Sequence, residues 1–246
     1  MRISMQASVK IMDIDVDMLS NDIFIQKMNE YLTDDRLDVI LFASTLALNR
    51  AVEDQDYCEL LNRAELLLPG EEALLTTHHV DVLEAGDMVV SCKSFGIVLE
   101  NLQKQDRTVY IVAKDHGEVA ALRRYCKKAQ PKLRIVGEYA FDQDAQDAAV
   151  INEINSHTPD LLLVSLNTGE QEEWIMGHVP QLNARICVAI GGVESLILAE
   201  QRKAPAWVKK LHLEKLFHWA VREQNVKKGV RARRFRKTIE QYDNER

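Results

Sequence analysis

The sequence contains no run of about 18 apolar residues, so nothing in it is expected to cross a membrane as a helix. Its first residues, MRISMQASVK, lack a long apolar stretch followed by a small-residue cleavage site, so no signal peptide is expected. It has no CxxC pair. The four cysteines, Cys58, Cys92, Cys126 and Cys187, are scattered and read as reduced core thiols, which excludes a disulfide framework and a cysteine zinc site. His78 and His79 are adjacent, but no third ligand stands at metal spacing, so no metal and no cofactor are expected. His116, His157 and His178 read as caps or surface residues rather than catalysts. Internal repeats and low-complexity segments are absent as well.

What is present is an ordinary globular composition, 46% hydrophobic and 28% charged over 246 residues, with an uneven charge. The net charge is −7, yet KKGVRARRFRK (227–237) carries seven basic residues and no acid. The last nine residues carry −2, which leaves −12 on residues 1–226. An acidic body argues against nucleic-acid binding. The basic stretch suits phosphate or an anionic membrane surface, or else is a solvated or disordered end. Arg231 and Arg234 fall on one helix face, and Arg233 stands on a neighbouring one.

Short apolar runs alternate with helical patterns. Strands are expected at VKIMDIDV (9–16), LDVILFAS (37–44), AELLLP (64–69), TVYIVAKD (108–115) and PKLRIVGEYAF (131–141), and at the starts of the segments beginning at 159 and 183. Helices are expected after Ser20, over 45–63, 116–129 and 144–157, and from about Gln171. MVVSCKSFGIVLENLQ fits a strand or a helix. The alternation predicts an α/β fold: a Rossmann-like, mostly parallel sheet with helices on both faces. A helical C-terminal appendage follows, so the expected division is 1–199 and 200–246.

In such sheets ligands bind beyond the carboxyl ends of the strands. The loop SLNTGEQEEW (165–174) places Ser165, Asn167 and Thr168 before a helix, with Gln171 and Glu172 in its first turn. It reads either as a ligand site or as a capped helix with dipole-favoured acids. Gly191 and Gly192 allow close backbone approach or simply a tight turn. In PGEE (69–72), Glu71 or Glu72 can serve as a general base, or both are solvated.

Several segments together resemble the WecG/TagA/CpsF family of bacterial glycosyltransferases over about residues 9–236. They are IMDIDVDMLSNDIFIQKMNEYL, DYCELLNRAELLLPGE, PKLRIVGEYAF, PDLLLVSLNTGEQEEWI, ARICVAIGGVES and RKAPAWVKKLHLEKLFHW. The resemblance implies transfer of a hexosyl group, typically N-acetylmannosamine, from a UDP-sugar to a polyprenyl-diphosphate-linked sugar. It implies a cytoplasmic, peripherally membrane-associated bacterial protein with arginines in a C-terminal appendage. An oligomer is left open. It makes Gln171, Glu172, Asn167, Gly191 and Gly192 donor-site candidates, Thr45 and Asn49 looser ones, and Arg231, Arg233 and Arg234 diphosphate or membrane contacts. The chain also departs from the family pattern. The family's aspartate falls at Gly70, leaving Glu71 as the candidate base, and a lysine becomes Glu170. The alternative function is a catalytically degenerate member that binds or regulates a glycan-assembly enzyme.

Overall fold

Ile11 and Ile14 face each other across a two-residue turn in which Met12 and Asp13 both have positive φ, 48° and 63°. This turn splits the single strand expected at 9–16 into an antiparallel hairpin, β1 (Gln6–Ile11) and β2 (Ile14–Leu19). Two consecutive left-handed residues match the twist of a tight hairpin, but the usual Asn-Gly or Asp-Gly signal is missing. The side chain of Met12 is buried instead. The computed structural model describes residues 6–71, 74–75, 88–141, 146–191, 230, 233–235 and 237–242.

Six further strands form one parallel sheet: β3 (Asp38–Ala43), β4 (Leu66–Pro69), β5 (Thr108–Ala113), β6 (Arg134–Ala140), β7 (Leu161–Ser165) and β8 (Ile186–Ala189). Their order is β4-β3-β8-β7-β5-β6, and each neighbouring pair runs parallel. All residues of β7 and β8 are buried, as covered strands with continuous apolar runs must be. The helices are α1 (Asn21–Tyr31), α2 (Thr45–Glu53), α3 (Gln55–Asn62), α4 (Ser91–Lys104), α5 (His116–Ala129), α6 (Asp147–His157) and α7 (Glu170–His178). This is the expected α/β arrangement, and the ambiguous segment is helical as α4.

The helix expected over 45–63 is broken at Asp54. Its side chain accepts from Tyr57 N at 3.1 Å, so it caps α3 and ends α2. Ser20, Ser44 and Asp115 cap α1, α2 and α5 in the same way. The hairpin lies beside β4, where Asp17 Oδ2 accepts from Leu67 N at 3.1 Å. At the amino end of the sheet, Asp160 accepts from Thr108 N and Thr108 Oγ1, both at 2.8 Å, and pairs with Arg107 at 3.0 Å. It thereby ties β5 to β7. Cys58, Cys126 and Cys187 are buried free thiols, whereas the side chain of Cys92 lies outside the described residues.

The chain forms two compact units, 1–193 and 194–246. In the second, Val230, residues 233–235 and residues 237–242 are helical. Among the described residues, no helix is long and apolar enough to cross a membrane, and no acid, cysteine or histidine cluster could hold a metal.

Among the described residues, a strongly perturbed carboxyl stands at the amino end of β3. Asp38 is fully buried; Arg36 Nε lies 3.0 Å away, but neither carboxylate oxygen has a well-aligned hydrogen bond. Burial pushes the group up to about 6; Arg36 opposes this, and Glu65 and Asp34 add to it. The folded chain therefore holds this proton more tightly than the unfolded chain. The contribution of Asp38 to stability is fully present below its unfolded value of 3.8 and is lost as pH rises through about 6. In urea melts across pH, Asp38→Asn is expected to flatten the decline between about pH 4 and 7. It should raise stability at pH 7.5 by about 1–3 kcal/mol.

Candidate active site

The strand order places the carboxyl ends of β4, β3, β8 and β7 side by side on one edge. These ends carry Glu71, Thr45, Gly191 and Asn167, so residues more than a hundred positions apart share that edge. The side chains fall into two groups.

The first group spans β3 and β4. Thr45, the first residue of α2, donates to Glu71 Oε1 from its backbone N–H at 3.2 Å and from Oγ1 at 3.3 Å. Gly70 N donates to Ala43 O at 2.7 Å, which fastens the exit of β4 to the end of β3. Asn49 stands one turn further along α2, and its Oδ1 is buried without a hydrogen bond among the described residues.

The second group spans β7 and β8. Gly191 has φ +66° and is held at both backbone polar groups: Gln171 Oε1 accepts from its N–H at 3.1 Å, and Ser165 Oγ donates to its carbonyl at 2.9 Å. Gln171 Nε2 in turn donates to Glu172 Oε1 at 3.0 Å, and Gly169 N donates to Glu172 Oε2 at 2.6 Å. Gln171 is 2% exposed and Glu172 1%. Burial pushes the Glu172 carboxyl up, against the hydrogen bonds from Gln171 and Gly169 and the nearby Tyr57 hydroxyl. Tyr57 is also pushed up, first by burial and then by the Glu172 charge, although its hydroxyl makes no hydrogen bond of normal geometry.

The start of α7 is closed by its own acids. Glu172 takes the N–H of Gly169, Glu170 accepts from Asn167 Nδ2 at 2.7 Å, and Glu173 pairs with Arg50. Three carboxylates in one helical turn leave little attraction for a phosphate there. The loop caps the helix through Glu172, which accepts from Gly169 N.

Arg50 carried no signal in the sequence. It stacks on Tyr57 at 4.2 Å, pairs with Asp54 at 3.1 Å and with Glu173, and so ties α2 and α3 to α7. A Cβ on Gly169, where φ is +96°, would come within 2.7 Å of Arg50 Nη1. Only the local Arg50–Asp54 spacing was visible in the sequence; the partner 123 residues away was not. Trp174 is a second such anchor, donating from Nε1 to Asp147 at 2.8 Å and so fixing α7 to α6.

Arg233 and Arg234 are exposed on the helical part of the second unit. Gly192, Arg231, Glu72 and the pair His78–His79 lie outside the described residues.

The pattern of the glycosyl transferase WecG/TagA/CpsF family matches residues 9–226. The chain belongs to that family. The match ends before the basic stretch 227–237. An N-acetylglucosaminyldiphosphoundecaprenol N-acetyl-beta-D-mannosaminyltransferase of Staphylococcus aureus (strain MRSA252) is 20% identical over 86% of this chain and 84% of its own length. The protein of the same name in Bacillus subtilis (strain 168) is 19% identical over 67% of this chain and 64% of its own. That of Bacillus spizizenii (strain ATCC 23059 / NRRL B-14472 / W23) is 20% identical over 68% and 65%. Within the matched residues, the segment PDLLLVSLNTGEQEEWI includes the sheet tie Asp160, the Gly191 clamp residues Ser165 and Gln171, the buried Glu172 and the α6 anchor Trp174. Glu172→Ala leaves two buried donors without an acceptor, and is expected to cost roughly 2–4 kcal/mol in urea melts.

Proposed function

We propose that this protein transfers a hexosyl group of the N-acetylmannosamine type from a UDP-sugar to a polyprenyl-diphosphate-linked sugar at the cytoplasmic face of the membrane. The observation that carries the reading is the succession of the β4, β3, β8 and β7 exits, which puts a hydrogen-bonded carboxylate and a clamped glycine on the same edge of the sheet. The names of the three relatives supply the substrate class.

Glycosyl transfer passes through a transition state with positive charge on the sugar and needs the acceptor hydroxyl deprotonated. In this reading Glu71 takes that proton as the acceptor oxygen bonds to the anomeric carbon. The bond from that carbon to the UDP oxygen breaks, and UDP leaves with the electron pair. Gly191 and Gly192 offer close backbone approach to the donor, and Asn167 stands at the neighbouring exit. Gln171 and Glu172, buried, support Gly191 from beneath. Asn49 lines the α2 side.

Arg231, Arg233 and Arg234 serve as diphosphate or membrane contacts. The same basic stretch holds the protein to anionic lipid. Residues 1–199 form the transferase core and 200–246 the appendage.

Release of UDP from a panel of UDP-sugars with a short polyprenyl-diphosphate acceptor tests the activity. Glu71→Gln is expected to lower kcat roughly 10²–10⁴-fold. Calorimetric donor binding without turnover by the unaltered chain would instead make it the degenerate, regulatory member. Deleting residues 227–246 should abolish sedimentation with anionic vesicles while leaving the melting temperature of the core unchanged. Equal binding by the full-length and shortened chains would remove the membrane role of the tail.

A further inference from the structure

We propose that Thr45 is a positioning residue for Glu71, holding Oε1 so that Oε2 faces the reacting hydroxyl. This rests on the reading of Glu71 as the base. Thr45 is 3% exposed, and its hydroxyl is directed at Glu71, so it has little left to offer a substrate. Its N–H donates to Oε1 at 3.2 Å, and its hydroxyl reaches Oε1 at 3.3 Å and, at greater length, Oε2 at 3.5 Å, so Oε1 is the more firmly held oxygen. A glutamate is long and free about its torsions, and holding its carboxylate at the start of α2 narrows the orientations open to it.

The neighbouring position explains why the carboxylate comes from residue 71. A Cβ on Gly70 would lie 2.6 Å from Ala43 O and 3.1 Å from Ala43 C. Both are backbone atoms of β3, and the Gly70 N–H is already bonded to that same carbonyl at 2.7 Å. The strand ends are too close for any side chain at position 70. The acid therefore sits one residue later, with a longer side chain that returns to the start of α2 and needs Thr45 to hold it. The proton of the acceptor hydroxyl passes to Glu71 Oε2 as the new carbon–oxygen bond forms and the bond to UDP breaks.

The test measures steady-state transfer by the full chain, with UDP-N-acetylmannosamine as donor and an N-acetylglucosaminyl-diphospho-lipid as acceptor. Thr45→Val is expected to lower kcat about tenfold with both KM values within about twofold, and Thr45→Ser to stay within about twofold of the parent. In a Glu71→Gln background, Thr45→Val should have no further effect. Thr45→Ala, which cannot overpack, separates a folding defect from a catalytic one through its melting temperature. Unchanged kcat in Thr45→Val overturns the proposal, as does a rise in KM at constant kcat, which would make Thr45 a substrate contact. If the parent chain forms no product, the transferase reading itself falls. If the parent is active and Thr45→Val matches it, only the positioning role falls.

Discussion

All six strands of the central sheet run the same way, and this single constraint places every strand exit on one edge. The candidate site residues Glu71, Thr45, Gly191 and Asn167 stand on that edge. The buried, perturbed Asp38 stands at the opposite end, at the start of β3. At the other end, the order β4-β3-β8-β7 brings four exits into succession. Two of these are tied by Thr45 and Glu71, and the other two by Ser165, Gln171 and Gly191.

The two ties have different electrostatic characters. At β3 and β4 a carboxylate rests on the start of α2, where backbone N–H groups favour negative charge. At β7 and β8 the equivalent helix start is already filled by Glu170, Glu172 and Glu173. Arg50 offsets part of that charge but is itself shared between Asp54 and Glu173. Three carboxylates at one helix start disfavour an anionic group there. The family match covers the acidic body and stops short of the basic end.

Much of this was legible in the sequence. Continuous apolar runs such as LDVILFAS and PDLLLVS mark covered strands, and their alternation with amphipathic helices gives the parallel sheet. Breaks made by single residues were less visible. The Met12–Asp13 turn lacks a glycine, and Asp54 interrupts an otherwise continuous helical pattern by capping. Thr45 came only from the family resemblance, while Glu71 and Gln171 could be picked out as polar residues at strand exits and Gly191 as a glycine there. Which way their side chains point could not: Gln171 and Glu172 look like ligand contacts in the sequence and turn inward in the fold. Arg50 and Tyr57 gave no signal, because their partners lie on distant elements and periodicity reports only local neighbours.

A structure of the full chain bound to UDP-N-acetylmannosamine tests the account most directly. The account predicts the diphosphate beyond the β8 exit at Gly191, with the anomeric carbon turned toward Glu71 Oε2 and Thr45 still bonded to Oε1. A donor seated beyond β5 and β6, or one with its sugar turned away from Glu71, would contradict it.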